Sequence, residues 1–227
     1  MRAPLSIVIP TLNAGAELPD TLASLMEGVE AGLVRELVIS DGGSEDDTLA
    51  IADAAGAVLA TGTAGRGSQL ARGAEAAAGP WLLFLHADTH LAPGWTDAVQ
   101  AHIAEHTGAA GYFRLAFRAR GLRPRIVAGW ANLRSRAFGL PYGDQGVLIP
   151  RALYDHVGGY PEIPLMEDVA IARALRGRLL PLDGEARTSA VRYQQQGWLW
   201  RGARNLLTLT RYLMGADPER LARAYKR

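Results

Sequence analysis

The run Leu82-Leu83-Phe84-Leu85-His86-Ala87-Asp88-Thr89 is apolar until it ends in a carboxylate two residues from an imidazole. It reads as a buried strand, and in open α/β sheets ligands gather at the carboxyl ends of strands, so Asp88 stands where a metal or phosphate is handled. The same residues also fit a helix cap, since Thr89 and then Pro93-Gly94 follow. Three more strand ends carry polar groups: Asn13 after Leu5–Ile9, Asp41 after Glu36–Ser40, and Arg66 in Gly62-Thr63-Ala64-Gly65-Arg66-Gly67. Asp41 can accept hydrogen bonds from a base or ribose, although Asp-Gly is also simple turn chemistry. Arg66, between glycines at a helix start, suits a diphosphate, while a solvated arginine in a flexible loop is the plainer alternative. All four lie on one sheet edge, in the order of one ligand crossing it. Glu167 and Asp168 open another helix, where acidic residues also simply suit the macrodipole. Asp144-Gln145, between Tyr142-Gly143 and Gly146, can meet the hydroxyls of a ligand or form only a turn.

The elements that must hold these groups alternate. Strands are expected at Leu5–Ile9, Glu36–Ser40, Ala57–Ala60 and Trp81–Leu85, ending in loops. Between them, Leu18, Leu22, Leu25, Met26 and Val29 recur at helical spacing before Gly32. A helix over 46–55 has a capping-box-like start in Ser44 and Asp47, and an alanine-rich helix covers 68–78. This regular alternation predicts an α/β fold, a mostly parallel central sheet with helices on both faces. Farther on, the pattern gives a helix near 95–105, a strand-like stretch 110–119, an Arg-rich stretch 121–136, a strand 146–150, a short helix 151–157 and a helix 166–176. We expect one domain over 1–227: a nucleotide-binding type of half 1–110, a second half 111–190, and a basic amphipathic helical segment 191–227.

Composition narrows the chemistry. The 227 residues contain no cysteine, which excludes disulfides and thiolate ligands and leaves oxygen and imidazole for any metal. No run of about 18 apolar residues appears, so neither a spanning helix nor a signal peptide is expected and the default location is cytoplasmic. The net charge of +1 hides a dipole: residues 1–113 hold 4 Arg and 14 acids, net −10, whereas 114–227 hold 19 Arg and one Lys against 9 acids, net +11. The basic half suits phosphates, an anionic membrane or an acidic acceptor, or else only solvates helix faces. The glycine-rich loop lacks a Walker A lysine and a dinucleotide fingerprint, which disfavours P-loop NTPases and dehydrogenases.

With these motifs in order, the chain resembles the family 2 glycosyltransferases of the GT-A fold. The resemblance rests on Val8–Asn13, Ser40-Asp41-Gly42-Gly43-Ser44, Gly65-Arg66-Gly67, Leu83–Asp88, Val157-Gly158-Gly159-Tyr160, and Met166-Glu167-Asp168 with Arg173, and covers roughly residues 5–178. It looks closest to a bacterial branch associated with radical-SAM and selenodomain proteins, in which His-Ala-Asp replaces Asp-x-Asp. The resemblance implies that Pro10, Thr11, Asn13 and Asp41 hold the nucleoside and that Asp88 reaches a divalent cation, Mg²⁺ or Mn²⁺, between the phosphates. His86 departs from the pattern and is a second candidate metal contact, an imidazole favouring Mn²⁺. Asp168 matches the general base of inverting members, with Glu167 its rival, and the resemblance makes 111–190 the acceptor and catalytic half, with Asp144, Gln145 and Glu167 as contacts to donor or acceptor sugar hydroxyls.

The expected reaction moves a sugar from a UDP- or GDP-sugar to a hydroxyl acceptor, lipid-linked acceptors included. A nucleotidyltransferase and a non-catalytic sugar-nucleotide binder are the alternatives. The first would need its glycine-rich loop directly after the first strand, where Pro10-Thr11-Leu12-Asn13 stand. Gln194-Gln195-Gln196-Gly197-Trp198 resembles the Gln-x-x-Arg-Trp signature of processive synthases, but Gly197 replaces the arginine, leaving Arg192 or Arg201 to contact phosphate. Residues 198–227 interleave Trp198, Trp200 and Leu207 with Arg201, Arg204 and Arg211, as an interfacial membrane helix or a stripe packed on the domain. No recognised nucleic-acid motif is present, so no nucleic-acid partner is expected.

Overall fold

Residues 2–226 are described by the structure, a computed structural model. In chain order the elements are β1 (Leu5–Thr11), α1 (Leu18–Glu30), β2 (Val34–Asp41), α2 (Thr48–Ala54), β3 (Val58–Thr61), α3 (Arg66–Ala76), β4 (Trp81–Phe84), β5 (Thr89–Leu91), α4 (Trp95–Glu105) and β6 (Ala110–Phe117). Then follow α5 (Leu122–Phe138), β7 (Val147–Pro150), α6 (Arg151–His156), α7 (Glu167–Ala174), β8 (Leu179–Thr188), α8 (Val191–Gln196), α9 (Trp198–Leu213) and α10 (Pro218–Lys226). The strands form one sheet in the order β3-β2-β1-β4-β7-β6-β8-β5. From β3 to β4 the pairing is parallel; β7 runs antiparallel to both β4 and β6, and β8 is parallel to β6.

Alternation along each strand builds the two cores. Ile7, Ile9, Leu83 and Leu85 face α1 and α4, burying Leu18, Leu25, Trp95 and Val99. Val8, Leu82 and Phe84 face α3, α6 and α7, packing on Leu70, Tyr154, Ile171 and Leu175. Helix α3 lies so close to β1 that a Cβ on Gly73 would fall 2.4 Å from Val8 Cγ1. Truncating a fully buried ring such as Trp95 or Phe113 to alanine would cost about 3–5 kcal/mol. Pro10 sits inside β1 without breaking the ladder. Val8 O accepts from Leu85 N, and Pro10 turns the same way two residues later, where β4 has already ended.

The expected parallel sheet with helices on both faces is present, and several details differ. Met26 and Val29, expected on the inner stripe of α1, are half exposed, because Leu18, Thr21, Leu25 and Gly28 form the buried line. Ser44 does not cap α2; its hydroxyl goes to Asp41, and α2 begins at Thr48 without a side-chain cap. The Arg-rich stretch 121–136 is the 17-residue helix α5, and β5 and β8 complete the sheet. Of the segment 198–227, the described residues form two helices separated at Met214–Asp217, with Arg201, Thr208, Leu209 and Leu221 buried on the domain. No helix among the described residues is long and apolar enough to cross a membrane.

Candidate active site

At the carboxyl ends of β1 and β2, one buried carboxylate organises the loops. Asp41 is 1% exposed, and its oxygens accept hydrogen bonds from Thr11 Oγ1 (2.8 Å), Ser44 Oγ (2.5 Å), Gly43 N (2.7 Å) and Ser44 N (2.8 Å). A carboxylate has about four lone-pair sites, so this one is saturated by its own chain. Burial pushes its pKa up, but the four donors outweigh burial and hold it below the ordinary value. Asn13, in the left-handed region at φ 51°, accepts from Glu45 N and donates its backbone N–H to Ser44 Oγ. Gln69 on α3 ties the two strand ends together by donating Nε2 to Thr11 O at 2.7 Å and Ser40 O at 2.9 Å. Thus Pro10, Thr11, Asn13 and Asp41 form one braced ledge.

A second group converges on a cleft of about 160 Å³ farther along the edge, lined by Arg66, His86, Asp88, Asp144, Glu167 and Asp168. Arg66 is the first residue of α3 and reaches Glu167 Oε1 at 3.4 Å across the cleft. Glu167 and Asp168 follow Met166, whose φ of 68° turns the chain into α7. Consecutive helical residues point about 100° apart. Glu167 is therefore buried behind Arg66, while Asp168 is half-buried on the cleft wall. Burial, then the neighbouring Asp168, push the Glu167 carboxyl up, and Arg66 offsets part of this. Asp168 Oδ1 accepts from Val169 N at 2.8 Å and Oδ2 from Gly143 N at 3.0 Å, fixing the carboxylate against the turn Gly143–Gln145.

That turn carries the least satisfied group in the cleft. Asp144 Oδ1 is buried with no partner among the described residues, and burial raises its carboxyl to about 6, with Asp168 and Asp88 adding and Arg134 opposing. Tyr142 beside it lies under the Arg134 guanidinium, 3.4 Å from the ring centroid, and its hydroxyl too lacks a partner among the described residues. Gln145 is not on the cleft wall. Fully buried, it joins Ser135 Oγ at 2.7 Å and Phe113 O at 3.0 Å and so anchors the turn.

His86 packs against the same turn, where a Cβ on Gly143 would fall 2.5 Å from Nε2. Burial, then Arg66, push its pKa down to about 3, so the ring is neutral. Asp88 faces the cleft, and its backbone carbonyl accepts from Arg118, which also pairs with Glu17. No three His, Cys, Asp or Glu side chains among the described residues come together as a metal cage. Asp88 and the neutral His86 are thus the candidate protein ligands, a set that suits a cation sharing its shell with phosphates and water. Arg192 and Arg201 both line the cleft; Arg201 is held by Gln196 and Tyr225, while Arg192 has no ion-pair partner among the described residues. Sequence reasoning passed over Gln69, Arg118 and the Arg134–Tyr142 stack, since no local pattern marks a lone residue whose role comes from a distant strand end.

A mixed sheet with a braced strand-end ledge beside an acidic cleft is the arrangement of GT-A glycosyltransferases. The chain belongs to glycosyl transferase family 2, whose profile matches residues 6–143. It is similar to the PGL/p-HBAD biosynthesis glycosyltransferases of Mycobacterium bovis and Mycobacterium tuberculosis, at 42% identity over 115 residues, 47% of this chain and 44% of the relative. The match thus spans less than half the length of those curated relatives. Among solved structures, S. aureus TarS superposes with a TM-score of 0.65 at 18% identity, covering 96% of this chain and 41% of that one. S. aureus TarS 1-349 in complex with UDP-GlcNAc gives 0.62 at 20% identity, covering 82% and 58%. Glucosyl-3-phosphoglycerate synthase from M. tuberculosis, in complex with Mn²⁺, UDP and phosphoglyceric acid, gives 0.56 at 22%, covering 82% and 69%. These structural likenesses support the fold.

Proposed function

We propose that this chain transfers a sugar, with inversion, from a nucleoside diphosphate sugar to a hydroxyl acceptor. UDP is the first choice of nucleotide and GDP the second. The observation that carries this reading is the convergence of Asp168 from α7, Asp88 from the loop after β4 and Arg66 from α3 on one cleft beside the braced ledge. The acceptor oxygen forms a bond to the anomeric carbon, and the bond from that carbon to the diphosphate oxygen breaks. The acceptor proton passes to Asp168, and the diphosphate leaves with the electron pair. Arg66 and Arg192 stabilise its charge. Asp168 suits the base role better than Glu167, which is buried and paired with Arg66. Asp144, with its unpartnered oxygen, would accept from a sugar hydroxyl. Pro10, Thr11 and Asn13 would line the nucleoside, with Asp41 shaping that ledge.

A divalent cation, Mg²⁺ or Mn²⁺, would be held by Asp88, with His86 as the second candidate, and would neutralise charge on the leaving diphosphate. Solved relatives of the same fold bound UDP with Mn²⁺ or Mg²⁺ and UDP-GlcNAc, which favours UDP here. His86-Ala87-Asp88 supports placing the chain in the branch with that motif. A nucleotide-sugar donor and a lipid-linked acceptor would put the reaction at the cytoplasmic face of a membrane.

Calorimetric titration with UDP, GDP, CMP and TDP, with and without Mn²⁺, tests the reading. One diphosphate should bind, and Mn²⁺ should tighten it by roughly tenfold or more, about 1.4 kcal/mol. Binding of none of them would overturn it.

A further inference from the structure

Helix α5 is built inside out. Apart from Arg134, the residues it turns toward the domain are small, with Pro124, Ala128, Ala131 and Ser135 buried. Its large apolar residues face away: Leu122, Ile126, Trp130, Leu133 and Phe138 are each between 53% and 72% exposed. At about 100° per residue, Leu122, Ile126, Trp130 and Leu133 fall within an arc of roughly 80°. On the same wheel Arg125 and Arg136 border one side of that arc and Arg123 the other, all three exposed. A surface helix ordinarily turns such a stripe inward.

Helix α9 widens the strip. Leu199, Leu206 and Leu213 recur every seventh residue and are exposed, while the opposite side of the helix buries Arg201 and Thr208. The two helices lie side by side. Trp130 and Leu206 line one shallow pocket between them, and Phe138 and Leu213 line another. These two points are roughly 10–12 Å apart along each helix at about 1.5 Å per residue. Neither helix contains an Asp, Glu or Lys, and together they carry seven arginines. Of these, Arg123, Arg125, Arg136 and Arg211 are exposed and make no ion pair with a carboxylate among the described residues.

We infer that the α5–α9 face docks on an anionic lipid bilayer, with Trp130, Ile126, Leu133 and Leu206 in the acyl boundary and the bordering arginines at the head groups. Charge complementarity selects this occupant. A second copy meeting the same face across a two-fold axis would bring unpaired arginines against arginines. A strip of large apolar side chains with a cationic rim and no acids is what an anionic interface takes up. The docking surface stands on the helices alone. Its consequence for the acceptor rests on the proposed transfer: Asn205 and Arg201 on the inner side of α9 line the cleft, so an acceptor head group carried by a lipid would reach Asp168 from this side.

The test is co-sedimentation of the full chain with vesicles of phosphatidylglycerol and phosphatidylcholine in equal parts, against phosphatidylcholine alone. The parent should partition to the anionic vesicles. Replacing Ile126→Ser with Trp130→Ser, or Arg123→Gln, Arg125→Gln and Arg136→Gln together, should lower partitioning by about tenfold or more. Because these side chains are exposed, melting and UDP titration should be unchanged in both variants, so a failure of docking is separate from a failure of donor binding. Absence of parental binding to anionic vesicles, or binding by either variant equal to the parent's, would overturn the inference. So would a parent that is dimeric by sedimentation equilibrium and becomes monomeric with Ile126→Ser and Trp130→Ser, since the face would then belong to a second copy.

Discussion

Two carboxylates at the ends of strands and turns meet opposite fates in this molecule. Asp41 lies on the ledge with both oxygens saturated by Thr11, Gly43 and Ser44, and its pKa is held down. Asp144 lies in the cleft with one oxygen unpartnered, and its pKa is pushed up to about 6. Burial raises both; four donors then lower Asp41, whereas Asp144 has none among the described residues on its buried oxygen and is pushed further up by Asp168 and Asp88 against Arg134. A carboxylate satisfied by its own chain is architecture, whereas one left short of donors is waiting for a ligand. Asp168 stands between, positioned by two backbone N–H groups yet open to the cleft. The ledge should therefore answer mutation through stability and the cleft through chemistry.

The largest expected effect is Asp168→Asn. The amide preserves shape but cannot take the acceptor proton, so kcat should fall by about 10³-fold while UDP affinity stays within roughly twofold. Single-turnover transfer assays beside calorimetry would read both quantities. A variant of near-parental activity would remove Asp168 as the base, and a parental chain that binds UDP without any transfer would leave a sugar-nucleotide binder.

Next in size is Asp41→Asn. The amide would turn two of its own N–H groups toward donors that now meet oxygen, costing about 2–4 kcal/mol in urea unfolding at neutral pH. The sign with pH follows from its lowered pKa. Stability from the carboxylate is present above the ordinary value of 3.8 and is lost as pH falls below it, so parent and variant should converge in acid. A variant as stable as the parent at neutral pH, but with weakened UDP binding, would make Asp41 a direct ligand contact.

The halves of the chain were not equally legible in sequence. The strands ending at Thr11, Asp41 and Phe84 are β-branched or apolar runs closed by turn chemistry, and helix 95–105 matches α4 to the residue. Helix α5 was opaque because its pattern inverts the usual rule, with small residues and Arg134 inward and large apolar residues outward. Strand β8 hides behind Pro181, Asp183 and Gly184, where its register against β6 shifts, and β5 is three residues long. Both exist through their neighbours, a tertiary effect that local propensity does not encode. In the site, the candidate carboxylates were visible as residue types at strand and helix ends. Which of them would be saturated was not, because the donors to Asp41 and Asp168 include Thr11 and Gly143, 30 and 25 residues distant.

The smallest effect sharpens the contrast most. Between its ordinary value of 3.8 and about 6, the folded chain holds a proton on Asp144 that the unfolded chain has released. Its contribution to stability therefore falls as pH rises through that window, and above it a buried, unpartnered charge remains. Asp144→Asn removes the charge. The variant should match the parent near pH 4 and exceed it by roughly 1–2 kcal/mol above pH 7, while the KM for the donor or acceptor sugar rises by about tenfold through loss of the accepting oxygen. Urea unfolding at several pH values reads the first quantity and steady-state kinetics the second. Parallel stability curves would show that Asp144 already has its donors in solution, and the distinction between ledge and cleft would then rest on Asp168 alone. Diverging curves with unchanged kinetics would instead make Asp144 a strained part of the turn that holds Gly143 against Asp168.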